Sequence, residues 1–134
     1  MAGIETKKRE FTYRGKTIEE LKKLDTREFA KLIRARERRF LLRNFQKSED
    51  FVNRAKEKIR KGRPVKTHSR DIVVMPQMIG MKVHIYNGKQ FTPIEITGEM
   101  LGHRFGELSL TRARITHGKA GVGATKGSKH KSKK

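Results

Sequence analysis

The chain has 134 residues, with 34 Lys and Arg against 14 Asp and Glu, which gives a formal net charge of +20. It contains no cysteine, so disulfides and thiolate metal sites are excluded. No apolar run approaches the roughly 20 residues of a membrane-spanning helix, and residues 1–9 lack the apolar segment of a secretory signal. We therefore expect a soluble intracellular protein whose charge is neutralised by a polyanion, since self-repulsion at this density opposes a compact state.

Capping patterns predict two helices near the N-terminus. Residues 17–20, Thr-Ile-Glu-Glu, have the form of a capping box and begin a short helix. Residues 25–28 can cap a second helix, in which the apolar side chains within 29–33 share one face. Residues 40–42 either continue this helix or begin a turn, and Asn44 is the predicted stop.

A third helix is predicted over residues 48–61. Ser48 is a suitable N-cap, and the two carboxylates that follow it favour a helix N-terminus. Gly62 lies where a C-terminal glycine belongs, and Pro64 prevents the helix from continuing.

Alternating apolar residues in 81–86 and 91–96 predict a β-hairpin. A two-residue Asn-Gly turn would set Val83 opposite a polar residue, so we predict a four-residue loop, Asn87–Gln90. This register pairs Met81 with Ile96, Val83 with Ile94, Ile85 with Thr92, Tyr86 with Phe91 and Lys82 with Glu95.

The hairpin needs a further strand, because an isolated pair of strands is only marginally stable in water. Either 65–67 or 72–74 can supply it, and Pro93 must lie on an edge strand or at a position whose amide is not hydrogen-bonded. Residues 97–102 predict one helical turn that ends at a glycine. The predicted core consists of Phe51, Val52, Ile59, Val83, Ile85, Ile94 and Ile96.

No catalytic or metal-binding constellation is evident, so we expect a protein that is not an enzyme and has no cofactor, metal or small-molecule substrate. The five histidines lack the spacing of a metal site. The adjacent carboxylate pairs at 19–20 and 49–50 are explained by helix capping. The glycine-rich stretch 118–125 is not a phosphate-binding loop, since Ala124 replaces the required lysine.

Three basic clusters are candidates for phosphate and sugar contacts: residues 63–70, residues 103–104 with the nearby run 111–114, and the acid-free tail from 118 onwards. Solvated loops that serve solubility are the alternative interpretation of the first two clusters. With 7% aromatic residues and no Trp, a stacking platform for single strands is doubtful. Contact through phosphates, sugars and shape suits folded RNA better.

Three different functions remain open at this point. The basic helix around 34–43 could lie on an anionic membrane, but the other basic stretches would then be unexplained. The chain could also be a chromatin-like protein that compacts any nucleic acid, or an RNA-modifying enzyme whose motifs are not recognisable.

Several short motifs at fixed separations resemble the universal small-subunit ribosomal protein nineteen family. The resemblance covers about 49–117. The motifs are Thr67–Arg70, Pro76–Gly80, Val83–Lys89, Met100–Leu108, Thr111–Arg112 and His117. Leu108 departs from the aromatic residue usual in bacterial relatives, whereas residues 11–15, 35–39 and 121–125 look like the archaeal and eukaryotic branch.

The resemblance implies a structural constituent of cytoplasmic ribosomes, bound to ribosomal RNA in the head of the small subunit. It implies ribosomal protein thirteen of that subunit as a neighbour, and a tail directed toward the tRNA sites and the decoding region. The implied fold is α+β, a small antiparallel three-stranded sheet with a packed helix. We divide the chain into a helical N-terminal extension (1–47), an RNA-binding core (48–117) and a flexible basic tail (118–134).

The predicted RNA-binding residues combine the basic clusters with the resemblance. They are Arg63, Lys66, Thr67, His68, Ser69, Arg70, Lys89, His103, Arg104, Thr111, Arg112, Arg114, His117 and Lys119. In this set the arginines and lysines neutralise phosphates, while Thr67, His68, Ser69 and His103 read sugar and backbone geometry. The residues of the tail that face tRNA are Gly121, Gly123, Thr125 and Lys126.

Overall fold

A computed structural model describes residues 10–115, 121 and 125–130. It has an α+β fold, as predicted, with a two-stranded and a three-stranded sheet. The strands are β1 (Thr12–Tyr13), β2 (Lys16–Thr17), β3 (Val65–Thr67), β4 (Lys82–Tyr86) and β5 (Phe91–Glu95). The helices are α1 (Ile18–Lys23), α2 (Thr26–Leu32), α3 (Ala35–Arg43), α4 (Phe45–Arg60) and α5 (Phe105–Leu108), with 3₁₀ turns at Pro76–Met78 and Gly98–Met100.

The capping box that precedes α1 is confirmed, but the predicted second helix is in fact two. The amide of Glu20 donates to Thr17 Oγ1 at 3.4 Å, and the amide of Thr17 donates to Glu20 Oε2 at 3.1 Å. The chain becomes extended at Ile33 and Arg34, between α2 and α3. The guanidinium of Arg38 donates to the carbonyl of Ile33 at 3.1 Å and to a carbonyl of α2, and so satisfies groups that the break exposes.

Helix α4 begins at Phe45, three residues before the predicted start at Ser48. Ser48 is therefore not the N-cap but a buried residue of the first turn, whose hydroxyl donates to the carbonyl of Asn44 at 3.4 Å. Asn44 ends α3, as predicted, and also bounds α4, so the two helices are joined without a loop. At the other end Gly62 adopts a φ of +65°, which is the conformation of a helix-terminating glycine.

The three-stranded sheet has the order β3-β4-β5 and is mixed, not antiparallel as predicted. The hairpin register is confirmed at every predicted pair within the strands, and Pro93 lies on the edge strand β5. Strand β3, however, runs parallel to β4, with Val65 opposite Val83. The connecting segment 68–81 is long enough to return the chain to the starting end of the sheet, which a parallel pair requires.

One hydrophobic core joins the sheet, α4 and the N-terminal helices. Val83 and Ile85 of β4 are fully buried, and the ring of Phe51 meets that of Phe105 edge-on with centroids 5.3 Å apart. Ile59 was a wrong core prediction: it lies in the last turn of α4 and is 46% exposed. The N-terminal extension adds buried side chains to the same cluster, namely Leu21, Phe29, Ala30, Ile33 and Leu41.

Candidate nucleic-acid interface

A basic groove lies between α4 and β3. Its cavity has a volume of about 300 Å³. The lining includes four cationic side chains, and His68 and Ser69 also line the groove. The four cations are Lys47, Arg54, Lys58 and Lys66. No carboxylate lines the groove among the residues that the structure describes, so its electrostatic character suits an anion such as a phosphate.

Asp71 partly neutralises one end of this basic groove. Its carboxylate accepts a hydrogen bond from Lys47 Nζ at 2.6 Å, and the side chains of Lys47 and Asp71 are 46% and 40% exposed. Burial raises the pKa of Asp71, but the hydrogen bond from Lys47, a backbone hydrogen bond and the charges of Lys47 and Arg104 together outweigh this and hold the pKa below its ordinary value. Lys47 is therefore paired with Asp71, whereas Lys58 and Lys66 form no ion pair within the described residues.

The predicted site residues around β3 divide into exposed and internal ones. Arg63 and Lys66 are exposed. Thr67 is buried, and its hydroxyl oxygen accepts a hydrogen bond from the amide of Ser69 at 3.0 Å. The hydroxyl of Thr67 therefore supports the turn after β3, while the two cations are directed to the outside.

Arg70 is bound inside the protein. Its guanidinium donates to the carbonyl of Tyr86 at 2.6 Å, to that of Gly106 at 2.9 Å and to that of Ser109. These carbonyls belong to the end of β4 and to both ends of the α5 region, which the arginine ties together. This role accounts for three of the five donors of the side chain.

His68, Tyr86 and Phe91 form a cluster of rings on the outer face of the three-stranded sheet, which we call the ring cluster. The centroid of His68 lies 4.6 Å from that of Tyr86 and 5.1 Å from that of Phe91, and Tyr86 and Phe91 are 5.1 Å apart. The ammonium of Lys66 is 5.3 Å from the Phe91 centroid, within the range of a cation–π contact. The sequence predicted the Tyr86–Phe91 pair, but it did not predict that His68 contacts both rings, because the position of His68 follows from the parallel register of β3.

The second basic cluster also mixes internal and exposed groups. His103 Nδ1 lies 2.6 Å from Glu107 Oε2, one turn along the chain. Arg104 is 4.7 Å above the ring of Phe40 and 3.8 Å from a carboxylate oxygen of Glu37, so it fastens α3 to the core. Three further predicted residues are exposed in a segment without regular structure; they are Thr111, Arg112 and Arg114.

The remaining predicted residues lie in the hairpin loop and the tail. Lys89 is exposed in the loop between β4 and β5, as are Gly121, Thr125 and Lys126 in the tail. The hydroxyl of Thr125 lies 2.7 Å from that of Ser128. His117, Lys119 and Gly123 lie outside the described residues, and the flexibility of the tail stays a prediction.

The described part of the chain lacks two kinds of feature. It contains no group of three or more His, Cys, Asp or Glu that could hold a metal ion. It also contains no helix with the length and apolar character needed to cross a membrane.

Comparison with known proteins decides the family. The family model described as "Ribosomal protein S19" matches residues 33–117, more than half of the chain. The chain belongs to the ribosomal protein S19 family. This confirms the resemblance read from the motifs, and ribosomal protein S19 is a structural protein, so the chain is not an enzyme.

Two archaeal members of the S19 family extend the match into the N-terminal region. The "Small ribosomal subunit protein uS19" of Methanococcoides burtonii is 48% identical over 124 residues, 92% of this chain and 88% of the relative. The protein of the same name from Methanocella arvoryzae is 46% identical over 125 residues, 92% of this chain and 87% of the relative. Both relatives are archaeal, which agrees with the predicted archaeal and eukaryotic branch of the family.

Proposed function

We propose that this protein is a non-catalytic constituent of the small ribosomal subunit that binds the subunit's ribosomal RNA in the head. Membership of the S19 family supports the ribosomal assignment. The observation that carries the RNA contact is the basic groove, in which Arg54, Lys58 and Lys66 form no ion pair within the described residues. The expected location is the ribosome in the cytoplasm.

The charge balance of the described surface supports binding to a polyanion. Among the residues that the structure describes, the Lys and Arg that form ion pairs are Lys47, Lys61 and Arg104. Most of the basic side chains that the structure describes thus have no carboxylate partner among the described residues. Each phosphate that such a side chain neutralises releases counterions, which favours binding and makes it depend on salt.

A chromatin-like compactor is the alternative, and competition binding distinguishes it. The full-length chain is bound to labelled small-subunit ribosomal RNA and challenged with unlabelled RNA or duplex DNA. We expect ribosomal RNA to compete at much lower concentration, because a prefolded RNA offers shape as well as charge. Equal competition by duplex DNA would favour the compactor.

The exposed pair Arg112 and Arg114 allows a test of individual phosphate contacts. Replacing both with Ala should weaken RNA binding and reduce the slope of log affinity against log salt by about one unit per lost contact. The matched control replaces Lys22 and Lys23, two exposed cations of α1 outside the proposed set, and leaves the slope unchanged. An unchanged slope for the Arg112 and Arg114 variant would remove both residues from the interface.

We further propose that the tail reaches the tRNA sites and that ribosomal protein thirteen of the small subunit is a neighbour. The acid-free composition from residue 118 onwards supports contact with RNA without a fixed shape. Truncation after His117 should leave subunit assembly intact and reduce tRNA binding to the assembled subunit. A truncated chain that fails to assemble would show that the tail is structural.

A further inference from the structure

We propose that the ring cluster is a stacking platform for an unpaired nucleobase of RNA. The inference rests on the proposed function and makes it more specific. It proposes that a base outside an RNA helix binds at the ring cluster. Composition argued against such a platform. The folded chain nevertheless concentrates three of its few rings at one point.

The sheet topology explains why these rings meet. The parallel register sets Thr67 opposite Ile85, so His68 follows beside Tyr86. The antiparallel register then sets Tyr86 opposite Phe91. Tyr86 of β4, Phe91 of β5 and His68, the residue directly after β3, thus come together at the same end of the outer face, and the register fixes their positions.

The exposure of the three rings differs in a way that suits a ligand. Tyr86 and Phe91 are half-buried, whereas His68 is exposed. The ring planes are inclined to each other by 48–77°, so Tyr86 and Phe91 support the imidazole without covering it by parallel stacking. A base can stack on the open side of His68 at little cost in conformational freedom, because the ring is already held.

The charges around the ring cluster suit the backbone of the same nucleotide. Lys66 lies over Phe91, and it also lines the basic groove between α4 and β3. Lys89 is exposed in the loop that joins Tyr86 to Phe91. The carboxylate of β5 on this face, Glu95, is opposite Lys82 at the far end of the hairpin. Flanking phosphates therefore meet cations near the rings, and the base itself meets an uncharged aromatic surface.

Stacking and hydrogen bonding predict different outcomes for substitutions of His68. The affinity of the full-length protein for small-subunit ribosomal RNA is measured for His68→Ala and His68→Phe. Stacking on one base accounts for roughly a 5- to 150-fold loss on removal of the ring, so His68→Ala should lose affinity by that factor. His68→Phe should retain it, and neither variant should change the salt slope.

The matched control is His84→Ala, a histidine of β4 that takes no part in the ring contacts; it should bind within about twofold of the parent chain. Equal thermal unfolding of the three variants shows that the fold is intact. Equal losses in His68→Phe and His68→Ala would overturn the proposal in favour of a hydrogen-bonding imidazole, and unchanged affinity in His68→Ala would overturn it outright.

A second measurement does not depend on substitution. Short-wavelength ultraviolet cross-linking of the unmodified chain to the same RNA is mapped by mass spectrometry, with nucleotide adducts expected on the ring cluster. Adducts confined to other residues would contradict stacking. Failure of the unmodified chain to bind this RNA would instead refute the proposed function, so the two failures are distinguishable.

Discussion

The guanidinium of Arg70 is held by three backbone carbonyls from two separate regions of the chain. The side chain contacts the end of β4 and both ends of the α5 region. Its removal would leave carbonyl groups without donors in a half-buried place, and such groups are costly to strand. Arg70 therefore acts first on the stability of the fold, although its sequence neighbours are candidates for RNA contact.

Replacement of Arg70 with Met should lower the free energy of unfolding of the free protein by about 2–4 kcal/mol. The measurement is urea denaturation in the absence of RNA. Arg63→Met is the matched control, because that side chain is exposed and forms no ion pair within the described residues; it should change stability by less than about 0.5 kcal/mol. Equal stability of the two variants would contradict the internal role of Arg70.

The Lys47–Asp71 pair should stabilise the fold only where Asp71 is ionised. The pKa of Asp71 is lower in the folded chain than its ordinary value, so the stabilisation is present above about pH 3.9. It is lost as the pH falls through the folded-state pKa, since both states are then protonated. Because both side chains are exposed, the coupling should be below about 1 kcal/mol at pH 7.

A double-mutant cycle of Lys47→Met and Asp71→Asn, measured by urea denaturation at pH 7 and at a pH below both pKa values, checks this expectation. A coupling that persists undiminished in acid would show that the ion pair is not its source.

At the level of elements, the hairpin was predictable because its signal is local. Alternation fixed which residues of β4 and β5 share a face, and the loop Asn87–Gln90 followed from the register. The side-chain oxygen of Asn87 accepts hydrogen bonds from the amides of Lys89 at 3.0 Å and of Gln90 at 2.8 Å. Asn87 therefore stabilises the four-residue loop that the register of β4 and β5 requires.

Replacement of Asn87 with Ala should destabilise the free protein by roughly 1 kcal/mol, since two loop amides lose their acceptor. Thermal unfolding of the variant measures the effect. Lys89→Ala, which leaves both hydrogen bonds in place, is the control and should unfold like the parent chain. An unchanged unfolding temperature for Asn87→Ala would show that the loop is held by the strands alone.

The parts that sequence reasoning missed depend on contacts between distant residues. The break between α2 and α3 has no Gly or Pro to mark it, and it is supported by Arg38, which binds carbonyls from 5 to 8 residues earlier. The direction of β3 depends on the path of segment 68–81, which has no periodic pattern. The ring cluster depends in turn on that direction, so composition alone could not reveal it.

The same reasoning limits what could be predicted of the site. Lysine and arginine types indicated a basic surface, and the structure leaves Arg63, Lys66 and Lys89 exposed. It binds Arg70 and Arg104 within the protein instead. The sequence does not show whether an arginine or lysine is exposed to a ligand or bound within the protein. Only the packing around the side chain distinguishes the two roles.

For the whole molecule, the chain has a formal net charge of +20, and its described residues pack around one hydrophobic core. The core extends into the N-terminal region, because the ring of Phe11 packs directly on Gly98. A Cβ on Gly98 would come within 2.6 Å of that ring. The N-terminal extension is thus packed on the core by its own side chains. Both the N-terminal extension and the rest of the described chain have exposed cations, so the protein presents a positively charged surface to an RNA.

Sedimentation of the full-length protein from a cell lysate tests the central claim, that this surface is neutralised by small-subunit ribosomal RNA. On a sucrose gradient we expect the protein in the fractions of the small subunit and of polysomes, unaffected by deoxyribonuclease and released by ribonuclease or by high salt. A protein found away from both fractions, or released by deoxyribonuclease, would contradict the account.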